Sequence, residues 1–428
     1  VPDPPPFTSP LAEELAPALL ERFCRYVRID TQASRDAERS PSTPGQRVLG
    51  ELLAGELRAA GLEDVSIDDN GYVTAALDAT VDRDAQMPMV GLLAHLDTSP
   101  DAPGNGVEPI VHRSYDGAII ELPKGGTRLD PASMPELVGK SGHDLVTASG
   151  DTLLGADDKA GIAAIVTAVA HLAAHPELPR PPLRVAFTPD EEIGAGARLL
   201  DLDRFGATCA YTVDGSEVGE LQDETFSALE AIVTITGVDV HPGWAKGRMV
   251  NALRLAARVV SALPVDNLAP EATDGRDGYI HPYVISGSPA RAEIHLILRD
   301  FDDDLLDSHA ALLERTAHQI VDAEPRAGLE IRLREQYRNM RRHVEPLPRL
   351  VEVAAEAMRM EGIEPIRTAI RGGTDGSQLS ARGLPTPNIF DGGHEYHSVR
   401  EWVSLQDMAA AAATLVHMAA LWSEPAAQ

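Results

Sequence analysis

Five short segments rich in acids and histidine, each at or just beyond the end of an apolar run, constrain this chain more than any other feature. They are His95-Leu96-Asp97, Ala156-Asp157-Asp158-Lys159, Asp190-Glu191-Glu192, Val213-Asp214-Gly215 and His394-Glu395-Tyr396-His397. The runs at 89–94, 183–188 and 208–213 read as strands, the first apolar enough to lie centrally in a sheet. Strand, acid, helix, strand, acid is the pattern of an α/β layer, in which residues of function collect at the carboxyl ends of strands. One cleft can then gather all five segments.

The remaining pattern divides the chain. Amphipathic helices are expected over 12–29 and 46–60, the second closed by Gly61, with strands at 65–67 and 73–76. Residues 98–146, rich in Pro, Gly and Asp, predict loops and short strands around the site, and 161–174 an Ala-rich helix. Near Glu224 the periodicity changes. A half-exposed strand at 227–236, a helix at 248–261, a strand at 290–298, a helix at 305–321 and a strand at 328–335 spell a compact β-α-β-α-β unit. After Pro346-Leu347-Pro348 the α/β pattern resumes, with a helix at 349–360, a strand at 386–390 and an Ala-rich helix from Leu405. Because His397 belongs with the early acids, the expectation is a discontinuous catalytic domain, 1–223 and 346–428, interrupted by an inserted α+β domain, 224–345. A length of 428 residues, beyond the size at which one core stops growing, agrees with two domains.

Composition excludes several functions. A net charge of −29 argues against a nucleic-acid partner, which wants Lys and Arg. No apolar stretch approaches the length of about 20 residues that spans a bilayer. The opening Val1-Pro-Asp-Pro-Pro-Pro6 lacks the basic and apolar regions of a signal peptide. Cys24 and Cys209 read as free thiols, so a cytoplasmic location is expected.

Taken singly, the five segments are weak. His95-Leu96-Asp97 allows an imidazole on a metal with a carboxylate behind it, but His-x-Asp is common by chance. Asp157 and Asp158, at a helix start, serve equally well as a cap or as a carboxylate bridging two cations. Asp190-Glu191-Glu192 crowds like charges that a cation would relieve, and lets one glutamate hold metal while its neighbour acts as base. Asp214 ends the next strand, and His397 alone would pass for a surface-loop residue. Together they supply His and carboxylate ligands for two divalent metals, a set that zinc accepts readily.

With these residues in view the chain resembles the tripeptide aminopeptidases of the M20 metallopeptidase family. The likeness runs through Arg22-Phe23 to Asp30-Thr31-Gln32, His95-Leu-Asp-Thr98, Thr152 to Gly161, Phe187 to Gly194, Val213-Asp-Gly215, His241-Pro-Gly243, Lys246 to Ala252, Arg299-Asp-Phe-Asp302, Arg371 to Gly376 and His394 to His397. The resemblance implies a zinc-peptidase-like α/β domain with an inserted lid that commonly carries a homodimer contact. It implies two Zn2+ per subunit, replaceable by Co2+ or Mn2+: one on His95, Asp157 and Asp214, the other on Asp157, Glu192 and His397. Asp97 would buttress His95, and Glu191 would be the general base for attack by a metal-activated water. His241 would reach the substrate carbonyl, in related enzymes from the neighbouring subunit, with Asn251, Arg299, Gly372 and Gly373 on the substrate side. The substrate implied is a short peptide with a free N-terminus. Glu271 to Gly278 departs from the family pattern near the cleft. The metal set alone does not separate an aminopeptidase from a dipeptidase, a carboxypeptidase or an amide deacylase. A non-catalytic peptide-binding protein fits less well, since no ligand and no base is missing.

Overall fold

A computed structural model describes residues 7–81 and 87–424; the opening Val1–Pro6 segment lies outside them. Two compact units emerge. The first takes the chain up to Asp223, then Arg342–Thr368, then everything from Thr374; the second is Glu224–Arg341 with Ala369–Gly373. The second unit therefore closes at Arg341 rather than 345, and it reclaims the segment holding Gly372 and Gly373.

In the first unit the chain runs α1 (Pro10–Tyr26), α2 (Pro44–Ala59), β1 (Glu63–Ile67), β2 (Val73–Leu77), β3 (Val90–His95), α3 (Ala156–Ala174), β4 (Leu183–Thr188), β5 (Cys209–Gly215) and β6 (Glu220–Thr225). The second unit follows with β7 (Ser227–Thr236), α4 (Ala252–Ala262), β8 (Tyr279–Gly287), β9 (Arg291–Asp300), α5 (Asp303–Val321) and β10 (Gly328–Tyr337). Then come α6 (Pro348–Met360), β11 (Ile366–Ile370), α7 (Asp375–Ala381), β12 (Asn388–Phe390) and α8 (Leu405–Trp422).

The large sheet has the order β1-β2-β4-β3-β5-β12-β6-β11. Its centre is parallel: β3 pairs with β4 and β5, and β12 with β5, all in the same sense. That explains why β3 is buried along its whole length, and why the carboxyl ends of β3, β4 and β5 open on one edge of the sheet. Helices α3 and α8 are buried on nearly every face and rich in Ala, which lets α1, α3 and α8 pack closely. Gly161 is part of this economy of space. A Cβ there would come within 1.9 Å of the Val213 carbonyl oxygen, so only glycine lets α3 approach β5 so closely. The first helix is fastened by a buried acid: Glu361, just past α6, accepts hydrogen bonds from Thr8 (2.9 Å) and Ser9 (3.0 Å), and His417 Nε2 of α8 lies 2.7 Å from it. Among the described residues no helix is long and apolar enough to cross a membrane.

The second unit corrects one expectation. Its sheet has four strands, ordered β8-β9-β7-β10, so the pattern is β-α-β-β-α-β rather than β-α-β-α-β. The overlooked strand is β8. It contains Pro282, which cannot donate to a ladder, and such a residue is tolerated because β8 is an edge strand with only β9 beside it. Helix α4 also starts later than expected, after Asn251, whose side chain accepts the Arg254 N–H as an N-cap.

Candidate metal centre

Three strand ends and two loops build the centre, all from the first unit. His95 is the last residue of β3 and stands in register with Thr188 at the end of β4; Asp214 is the penultimate residue of β5. Glu191 and Glu192 follow β4 in a short 3-10 turn. Asp157 and Asp158 open α3 with non-helical backbone angles, so neither is an ordinary helix cap. His397 sits at φ 59°, a left-handed conformation that a non-glycine residue keeps only where its surroundings impose it.

Asp157 lies between two imidazoles. Its Oδ1 is 2.8 Å from His95 Nε2 and its Oδ2 is 3.1 Å from His397 Nε2. Beyond each imidazole stands a second carboxylate: Asp214 Oδ1 at 3.7 Å from His95 Nε2, and Glu192 Oε2 at 3.0 Å from His397 Nε2. Donor atoms of His95, Asp157 and Glu192 converge within 4.8 Å, as do those of His95, Asp158 and Asp214. Asp158 is fully buried and accepts the His95 backbone N–H through Oδ2.

The electrostatics are those of an acidic cluster short of positive charge. Burial, with Asp214, Asp375 and Glu192 nearby, drives the Glu191 carboxyl well above its ordinary range. Burial and Asp157 push Glu192 up to about 7, although a hydrogen bond with His397 opposes them. His397, hydrogen-bonded to Asp157 and Glu192, is pushed up to about 11. Burial disfavours the Asp157 charge, yet His397 and His95 together hold that carboxyl far below the usual value. Two buried carboxylate oxygens, Glu192 Oε1 and Asp158 Oδ1, have no hydrogen-bond partner among the described residues. Crowded acids, imidazoles drawn into ion pairs and unpartnered buried oxygens fit divalent cations.

The supporting groups were less visible in the sequence. Asp97 does not place its carboxylate squarely on His95: Nδ1 of His95 is 3.0 Å from the Asp97 carbonyl and 3.5 Å from Oδ1. The Asp97 carboxylate instead accepts the backbone N–H groups of Glu191 and Glu192, each at 3.0 Å. Asp190 turns away from the cluster, at φ 63°, toward Ser40, the Ser42 amide and Gln46. No motif in the sequence marks Glu401. Its Oε2 accepts the amides of Leu154 and Gly155 at 2.7 Å and its Oε1 that of Asp157 at 3.1 Å, holding the loop that presents Asp157. A glutamate next to the apolar Trp402-Val403 was the only hint. His394 stacks on Trp402 at 4.3 Å between ring centroids and takes no part in the cluster.

The remaining candidates belong to the second unit. His241 is exposed, its Nδ1 accepting the Gly243 N–H, with its ring 4.9 Å from that of Trp244. Arg299 is buried, bonded to the carbonyls of Leu229 and Leu298 and to Gln336. Gly373 stands against Tyr337, and neighbouring Arg371 bonds to the carbonyls of Thr273, Gly275 and Asp277 in the loop that departs from the family pattern.

Comparison with known proteins decides the family. The model of peptidase family M20/M25/M40 matches residues 153–421. This chain belongs to that family. Its relatives include the peptidase T of Shouchella clausii (strain KSM-K16), 47% identical over 95% of this chain and 99% of the other. Among solved structures, the aminopeptidase PepT of Bacillus cereus ATCC 10987 superposes with a TM-score of 0.75 at 21% identity, covering 96% of this chain and 99% of that one. The Bacillus subtilis YxeP protein, described as a dinuclear metal-binding peptidase of the M20 family, gives 0.64 at 13% identity over 96% and 98%. The M20 family expected from the motifs is the family found, and the protein is a metal-dependent peptidase of that family.

Proposed function

We propose that the chain is a tripeptide aminopeptidase that removes the N-terminal residue of short peptides with a free amino terminus, as a homodimer, with two zinc ions per subunit. The observation that carries this reading is the position of Asp157, one oxygen toward His95 and the other toward His397. In this reading His95, Asp157 and Asp214 hold one cation, and Asp157, Glu192 and His397 the other. Bound there, divalent cations supply Lewis-acid polarisation of the peptide carbonyl and lower the pKa of water.

The chain's own residues do the rest. Glu191, half-buried and with raised proton affinity, takes the proton of the attacking water and returns it to the leaving amine. Asp97 fixes the turn that aims Glu191, and Glu401 fixes the loop that presents Asp157. His241 donates to the developing oxyanion. Asn251, Arg299, Gly372 and Gly373 are the substrate-side residues that the family resemblance implies; within the second unit Asn251 caps α4 and Arg299 bonds to the Leu229 carbonyl.

The test is a panel of di-, tri- and tetrapeptides with free and blocked termini, assayed before and after chelation and with zinc, cobalt or manganese restored. Chelation should abolish hydrolysis, and tripeptides with free amino ends should be preferred. Equal cleavage of amino-blocked peptides would overturn the aminopeptidase assignment in favour of a carboxypeptidase or deacylase.

A further inference from the structure

A second group of metal-type donors lies outside the catalytic cluster. His171, in the last turn of α3, and His175, its C-cap, are four residues apart and share one helix face, with rings stacked at 4.4 Å between centroids. Glu14 of α1 reaches the same point, its Oε1 3.8 Å from His171 Nδ1. Ligand atoms of all three residues lie within 4.8 Å of one another. None of the three enters the proposed mechanism.

We propose that Glu14, His171 and His175 form a peripheral site for a borderline divalent transition metal of the zinc or nickel class, which ties α1 to the C-terminal end of α3. Two features support it beyond proximity. His175 Nδ1 is 2.8 Å from Glu177 Oε1, and an ionised carboxylate only accepts, so the neutral ring carries its proton on Nδ1 and its lone pair on Nε2. A carboxylate behind an imidazole in this way is the usual outer support of a metal-bound histidine. The C-terminal end of α3 also presents the negative pole of the helix to whatever binds there. Two nitrogens and one carboxylate suit zinc, nickel or copper(II) and disfavour magnesium and calcium, which want oxygen alone. Three protein donors leave water to complete the shell.

The experiment is equilibrium dialysis of the full chain against graded free Zn2+, counting bound zinc per chain in the native protein and in His175→Ala. The difference between the two is read, so the result does not depend on how many cations the catalytic cluster holds. The native protein should bind one zinc more per chain at saturation, with equal tripeptide turnover in both. Glu177→Gln should retain the extra zinc but weaken it roughly 10-fold or more. The thermal midpoint of the native protein should keep rising over the zinc range in which turnover is already constant, and this rise should be absent in Glu14→Gln. Equal stoichiometry in the native protein and His175→Ala would overturn the site. An undiminished thermal response in Glu14→Gln would overturn the tie to α1.

Discussion

The Asp97 carboxylate accepts the backbone N–H of Glu191 at 3.0 Å, with its other oxygen on the N–H of Glu192 at the same distance. An acid just past one strand end thus sets the backbone of the turn beyond the neighbouring strand. Asp97→Asn replaces one acceptor by a donor that must face an N–H. Cation affinity should fall roughly 10- to 100-fold, the usual cost of losing an outer support. Metal titration of the purified variant checks this, and unchanged affinity would make Asp97 dispensable.

Glu191→Gln should keep its cations and lose turnover, because the amide cannot take the proton from water. The measurement is metal content alongside tripeptide hydrolysis. Loss of metal from this variant would mean that Glu191 and Glu192 have exchanged roles.

His241→Ala should leave metal content unchanged and reduce kcat roughly 10²-fold, as expected when one donor to an oxyanion is removed. A fully active variant would remove His241 from the mechanism.

Glu401→Gln leaves at least one of three buried amides facing an NH2 group. An unsatisfied buried group of this kind costs about 1–3 kcal/mol, so the denaturation midpoint should drop. Cation affinity should fall with it, since the loop carrying Asp157 loses its brace. A variant with full stability and full affinity would contradict the brace.

Glu361 gives a pH signature. Burial favours its neutral form, but hydrogen bonds from His417, Ser9 and Thr8 prevail and hold its folded-state pKa below the ordinary glutamate value. A depressed pKa contributes stability at pH above the unfolded value, about 4.3, and that stability is lost as the pH falls through the folded value. Native protein and Glu361→Gln should therefore differ in unfolding free energy at neutral pH and converge in acid. A constant gap down to low pH would remove Glu361 from the acid response.

Most residues that cluster around Asp157 were legible because the side chain follows an apolar strand or opens a helix, and parallel strands present such ends together; His397, in a loop, was legible only with the rest of the set. Their supports were harder to read. Glu401 acts on backbone amides of residues 154, 155 and 157, and no local spacing records a contact that distant in the chain. The spacing of His95 and Asp97 predicts a side-chain partner, while the Asp97 carboxylate mainly serves main-chain groups, which sequence patterns do not mark. Strand β8 was hidden by Pro282, which counts against a central strand but not against an edge. The boundary near Glu224 was visible because the periodicity itself changes there, whereas the return of Ala369–Gly373 to the second unit left no such trace.

The interruption of the first unit by Glu224–Arg341 bears on how the protein is made. On the ribosome, His95, Asp157, Glu192 and Asp214 emerge before the insertion, while His397 and Glu401 emerge only after it. The nascent chain therefore carries a crowded group of acids whose last imidazole and loop brace have yet to be synthesised. Completion of the centre is a late event of translation, and any product truncated within the insertion inherits the charge repulsion without the imidazole that relieves it.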